Sequence, residues 1–158
     1  MDQETAGKRP GNLRMTQRQH PEDIMQTRLC NIIRINARPE IVWGANPNGD
    51  LRAPNVEARL KRQGVRAGMP DLVFCLDDGR TAWLELKAKG GRLSIAQKAV
   101  GFRLRRVKHL WAVAWSLEEA VEILQKWGIF KNNFVAKENM EDLNALDAFE
   151  EELNKEES

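Results

Sequence analysis

Three residues near the middle of this chain have the types and spacing for hydrolytic chemistry. Asp71, Glu85 and Lys87 stand in GMPDLVFCLDDGRTAWLELKAK, from Gly68 to Lys89. Leu72, Phe74 and Leu76 alternate with Val73 and Cys75, Asp77-Asp78-Gly79 interrupts, and Ala82, Leu84 and Leu86 then alternate with Trp83, Glu85 and Lys87. Alternation of period two on both sides of a glycine-bearing break predicts a β-hairpin. A loop of Asp77 to Gly79, with Gly79 in the left-handed position, pairs Leu76 with Arg80 and sets Asp71 opposite Glu85. A shorter Asp78-Gly79 loop would turn Leu72 and Phe74 onto the face of Glu85 and Lys87 and leave no clean buried side. The first register is therefore expected. It gathers Asp71, Glu85 and Lys87 on one surface, because residues two apart on a strand point the same way.

Two close carboxylates repel unless a cation lies between them, and hard oxygen donors with few histidines nearby suit Mg²⁺, or Mn²⁺ in its place, better than zinc. A lysine beside them adds positive charge. Such a group can bind a phosphodiester, acidify a water and offset the extra negative charge of a transition state. The chemistry it suits is phosphodiester hydrolysis.

Pro70-Asp71, thirteen residues, then Glu85-Leu86-Lys87 resembles the PD-(D/E)xK nuclease motif, and the wording GMPDLVF and WLELKAKGGRLSIAQ is similar to the VRR-NUC (virus-type replication-repair nuclease) family. The resemblance implies an α/β fold, a PD-(D/E)xK nuclease-like core with a central mixed β-sheet flanked by helices. It implies a Mg²⁺-dependent DNA endonuclease in which Asp71 and Glu85 hold the metal, the Leu86 carbonyl adds a ligand, and Lys87 polarises the attacking water or stabilises the transition state. Gln97 matches the family's glutamine after ExK, which helps position the water or the DNA. Glu22 with Gln26 fits an E-x-x-x-Q pattern whose glutamate is an extra acid near the metal. Compact members resemble virus-type enzymes that act as homodimers on branched DNA such as four-way junctions, in replication, recombination or repair.

Local structure offers its own reasons for two of these residues. Glu22 favours a helix N-terminus, and Asp23 is an alternative acid. Gln97 is the third helical residue of a capping box opened by Ser94, where Glu or Gln is wanted in any case. The two roles of Gln97 do not exclude each other.

The elements that must position these groups follow from pattern. Pro21 suits a first helical position, and Ile24, Met25, Leu29, Ile32 and Ile33 recur at helical spacing to about Asn36, predicting a core helix. Glu40 to Trp43 is a strand candidate, and Ala45 to Asp50 is turn-rich, with Asn48-Gly49 matching a turn common in the family. Pro54 to Gln63 predicts a short helix stopped by Gly64. Gly90-Gly91 ends the hairpin's second strand, and a helix runs from the Ser94 cap to about Val107 with Ile95, Ala99, Leu104 and Val107 as its apolar positions. His109 to Trp115 predicts a strand buried on both faces and reached by a parallel crossover. Ser116 to Glu119 caps a helix through Trp127 that Gly128 ends.

Charge is divided unevenly. Lys137 to Ser158 holds two lysines and nine acidic residues, net −7, which leaves 25 − 2 = 23 basic and 23 − 9 = 14 acidic residues in Met1 to Ala136, net +9. A basic body suits a polyanion. Arg52, Arg59, Lys61, Arg62 and Arg66 just upstream of the candidate site, and Lys89, Arg92 and Lys98 just downstream, are the candidate phosphate contacts, against the alternative of plain solvated surface. The expected organisation is a disordered basic arm over 1–20, a nuclease domain over 21–130 and an acidic tail over 131–158. Met140, Leu143, Leu146, Phe149 and Leu153 give that tail helical amphipathicity. Cys30 and Cys75 sit in apolar patterns without zinc spacing and are expected to be buried thiols. With no apolar run of membrane-spanning length and no signal-peptide centre, a cytoplasmic protein is expected. The competing functions are a non-catalytic nucleic-acid-binding scaffold on the same fold, and a restriction or RNA-processing nuclease.

Overall fold

The structure is a computed structural model that describes residues 20–46, 54–136 and Glu141. Residues 1–19 of the expected basic arm, the Asn48-Gly49 turn, Arg52 and, apart from Glu141, residues 137–158 of the expected tail lie outside the described residues. The elements, in order, are α1 (Pro21–Asn36), β1 (Val42–Ala45), α2 (Pro54–Arg62), β2 (Leu72–Cys75), β3 (Thr81–Leu86), α3 (Ile95–Arg106), β4 (Leu110–Ala114) and α4 (Leu117–Lys126). The strands form one mixed sheet in the order β1-β2-β3-β4, antiparallel as far as β3 and parallel between β3 and β4.

Hairpin register decides where the chemistry lies, and it is the one the alternation demanded. Leu72 pairs with Leu84 and Cys75 with Thr81, which extends to Leu76 opposite Arg80 and Asp71 opposite Glu85. The Leu76 N–H donates to the Arg80 carbonyl at 2.9 Å. Gly79 takes φ +80°, the left-handed conformation a side chain resists. Leu72, Phe74, Ala82, Leu84 and Leu86 then enter the core with Met25, Leu29 and Ile33 of α1 and Ala120, Val121 and Leu124 of α4. Burial of these side chains, at about 25 cal/mol per Å² of apolar surface, is what fixes the register, since a slip of one residue would take every one of them out of this core to the opposite face.

Several expectations are corrected. β1 starts at Val42, so Glu40 precedes the strand. Ile24 is exposed because it points away from the face carrying Met25, Leu29 and Ile33. Cys75 is exposed, since its position on the hairpin faces opposite to Phe74, whereas Cys30 is buried and its thiol pKa is raised by that burial. β4 is an edge strand, and only Ala114 is fully buried in it. On α3, Ile95, Ala99 and Val107 are exposed and Leu104 is half-buried. The helix instead approaches the sheet at Gly101, where a Cβ would run into the Trp111 indole. Close approach on a glycine leaves the flanking apolar side chains outside the contact. Among the described residues, no helix is long and apolar enough to cross a membrane.

Candidate active site

β3 carries Glu85 between Leu84 and Leu86, and its side chain points to the opposite face of the sheet from theirs, where it is buried beside Lys87 and Gln97. Glu85 is 1% exposed and, among the described residues, is the one charged residue that is buried. Its Oε1 accepts from Lys87 Nζ at 2.8 Å and from Gln97 Nε2. Its Oε2 is buried without a hydrogen-bond partner. Burial pushes the Glu85 pKa up, the Lys87 hydrogen bond pulls it down, and the nearby Asp71 and Glu22 charges raise it, leaving it at about 7. Lys87 shows the mirror image. Burial opposes its charge, but the Glu85 hydrogen bond and the surrounding carboxylates outweigh this and raise its pKa.

Asp71 precedes β2 and is held from both sides. Its Oδ2 accepts the Leu86 N–H at 2.7 Å, tying it across the hairpin to the strand that bears Glu85. Asn46, just after β1, donates its backbone N–H to the Asp71 carbonyl at 2.8 Å and its side-chain amide to the Pro70 carbonyl at 2.5 Å. Asn46 was not singled out from the sequence, where it belongs to a turn-rich stretch. Only the β1–β2 pairing reveals its role, and no local signal could have done so.

Helix ends supply the remaining groups. Gln97 fills its capping-box role and also contacts Glu85: its Oε1 accepts the Ser94 N–H at 2.8 Å to complete the capping box, while its Nε2 donates to Glu85. Glu22, in the first turn of α1, accepts the Ala88 N–H on Oε1 at 3.0 Å and lies 3.9 Å from Lys87 Nζ. Asp23 is exposed, and Glu22 is the α1 carboxylate that approaches Lys87. Gly68, at φ +83°, presses the chain before Asp71 onto the first turn of α3, where a Cβ would lie 2.5 Å from the Ala96 carbonyl carbon. The structure thus brings together Glu22, Asp71, Glu85, Lys87 and Gln97. Arg59, Lys61, Arg62, Arg66, Lys89, Arg92 and Lys98 are all exposed.

No three His, Cys, Asp or Glu side chains among the described residues already converge as a metal cluster. The donor chemistry nonetheless fits a hard cation. A buried carboxylate oxygen with no partner, beside a second carboxylate close enough to raise its pKa, is a costly arrangement that a cation would relieve. Asp71 and Glu85, with the main-chain carbonyl of Leu86 at the end of β3, are the residues that would hold it.

The family model of the VRR-NUC domain matches residues 38–116, half of the 158. The chain belongs to the VRR-NUC family. The matched segment runs from the loop after α1 to the Ser116 cap, so it contains Asp71, Glu85, Lys87 and Gln97 but not Glu22. A solved structure described as a VRR_NUC domain protein superposes with a TM-score of 0.51 at 22% identity, covering 67% of this chain and 86% of that one. That likeness shows the fold. No curated protein matches the chain significantly. VRR-NUC membership makes this a protein of a nuclease-type family, with nucleic acid as its binding partner.

Proposed function

We propose that this VRR-NUC protein is a divalent-metal-dependent DNA endonuclease that hydrolyses phosphodiester bonds, with Mg²⁺ as its metal and Mn²⁺ as a substitute. The observation that carries the reading is the buried Glu85 carboxylate, one oxygen held by Lys87 and Gln97 and the other unpartnered, beside Asp71. A purely structural hairpin has no use for two acids whose repulsion must be offset.

In this reading Asp71, Glu85 and the Leu86 carbonyl hold the cation, which when bound supplies Lewis acidity at the scissile phosphate. Lys87 keeps its proton in the working pH range and places a fixed positive charge where the attacking water and the pentacoordinate phosphorus gather negative charge. Gln97 fixes the Glu85 carboxylate in orientation from the end of α3. Glu22 holds the Ala88 N–H and adds negative charge beside Lys87, keeping the ammonium charged. One P–O bond forms to the water oxygen as another breaks to the leaving sugar oxygen, the water giving up a proton to solvent and the leaving oxygen taking one up from solvent.

Branched DNA as the substrate, a setting in replication, recombination or repair, and a homodimer belong to the same proposal, as the family resemblance implies. The test is cleavage of one labelled set, linear duplex, single strand, flap and four-way junction, with Mg²⁺ or Mn²⁺, by the natural protein and by Asp71→Ala. Metal-dependent cutting that the variant loses is the expected result, and the preferred member of the set reads the substrate class. Binding without cutting under either metal would replace the enzyme with a scaffold. Light scattering on the same preparation reads the oligomeric state.

A further inference from the structure

Just after the strand beside β3 comes an exposed tryptophan, Trp115. All five tryptophans lie among the described residues, and Trp43, Trp83, Trp111 and Trp127 are half-buried while Trp115 is 40% exposed. Trp43 and Trp127 pack against the core, Trp111 lies under Gly101 of α3, and Trp83 donates its indole N–H to Thr81. Core packing gives Trp115 no comparable duty.

Its position follows from the sheet. Leu86 pairs with Ala114 at the end of β4, and the Lys87 N–H donates to the Ala114 carbonyl at 2.9 Å, so the backbone of Trp115, the residue that follows the strand, adjoins that of Lys87. Neighbouring strands are roughly 4.8 Å apart, less than the span of one nucleotide. The indole is also anchored. Its Nε1 donates to the Gly91 carbonyl at 3.0 Å, and the Trp115 backbone N–H donates to Glu119 Oε2 at 2.8 Å. The ring is therefore tied at its N–H edge to the loop that follows Lys87, and its backbone is tied to the first turn of α4. Exposed Lys89 and Arg92 flank the same loop.

We propose that Trp115 is a nucleobase platform, stacking on the base of the nucleotide next to the phosphate that Asp71, Glu85 and Lys87 engage. The proposal rests on the nuclease reading and adds to it a contact with the base. An aromatic ring fixed in advance loses little entropy on stacking and accepts any base, because every base presents a π face. The base must first leave its own stack. Such a platform therefore favours a nucleotide that is already unpaired or distorted beside the cut.

Binding of labelled single-stranded and junction DNA in Ca²⁺, measured by fluorescence anisotropy, tests this with Trp115→Phe and Trp115→Leu. Loss of one base stack weakens binding about tenfold. The leucine variant should show that loss, and the phenylalanine variant, which keeps a ring but no N–H, should stay near the natural protein. Equal loss in both would assign Trp115 to holding Gly91 and overturn the proposal, as would no loss in either. A second measurement needs no variant. An abasic nucleotide walked across the bound strand should cost the natural protein about tenfold at one position and cost Trp115→Leu nothing further there. No sensitive position would overturn the platform. Failure of the two readings is distinguishable: DNA binding that depends on the ring without cleavage under Mg²⁺ or Mn²⁺ keeps the platform and sinks the enzyme, cleavage indifferent to Trp115 does the reverse, and absence of DNA binding sinks both.

Discussion

Glu85 is where burial and charge conflict most sharply. Its pKa is about 7, against an ordinary 4.5, chiefly because burial disfavours the carboxylate. A raised acid pKa means that the folded state binds the proton more tightly than the unfolded chain does. The stabilising contribution is therefore complete below about pH 4.5 and is lost as pH rises through about 7. In chelator, the natural protein should lose roughly 3 kcal/mol from this group between pH 4.5 and 8, and Glu85→Gln should flatten that part of the slope. Denaturant titrations at both pH values check it, and parallel slopes would refute the assignment. A cation must displace the same proton, so added Mn²⁺ should raise the melting temperature more at pH 8 than at pH 5. Gln97 allows a sharper separation of roles. Gln97→Glu keeps the oxygen that accepts the Ser94 N–H but replaces the donor to Glu85 with another carboxylate. Helical content by circular dichroism should hold, while cleavage falls about 10- to 100-fold, the usual consequence of losing a group that orients a metal ligand.

At the scale of elements, two glycines separate local conformation from contact. Gly79 at φ +80° has no atom within 4 Å of a built Cβ, so Gly79→Ala should cost only the backbone penalty, about 1 kcal/mol, and leave cleavage unchanged. Gly68 has the same backbone need, φ +83°, and a Cβ there collides with the first turn of α3, the turn that bears Gln97. Gly68→Ala should cost roughly 3 kcal/mol and also lower cleavage by spreading Asp71 from Gln97, as denaturation and single-turnover assays would show. The contrast also explains what was legible in the sequence. Hairpin register, the Gly79 turn, the Ser94 box and the ends of α1 and α4 all rest on neighbours within a few residues, and alternation or cap spacing reveals them. The seating of α3 on Gly101, the edge position of β4, the Asn46 clamp and the exposure of Trp115 depend on which distant elements meet. Apolar residues such as Ile95, at 87% exposure, look like core from periodicity because periodicity does not say what lies opposite. Of the candidate site, the types and order of Asp71, Glu85 and Lys87 were legible, and the unpartnered Oε2 was not.

For the molecule as a whole, the net charge of +2 conceals +9 in residues 1–136 against −7 in residues 137–158. A chain of opposite sign tethered to a basic body competes with DNA for the same field, whatever its conformation, because effective concentration within one chain is high and like-charged tail and DNA repel. Deleting residues 137–158 should therefore tighten DNA binding by roughly tenfold near 50 mM salt. The effect should shrink as salt rises, since the Debye length falls from about 10 Å at 0.1 M to about 3 Å at 1 M. The body's own contacts obey a different rule. Each phosphate released from Arg59, Arg62, Arg66, Arg92 or Lys98 by substitution to Ala should lower the salt slope of log K by about 0.9, with or without the tail. Anisotropy titrations across a salt series distinguish the two effects: a deletion that shifts affinity only at low salt marks screening, and a deletion that changes nothing at any salt places the acidic segment away from the bound DNA. A deletion that weakens binding would show instead that the segment supports the fold or the interface, and the screening argument would be wrong in sign.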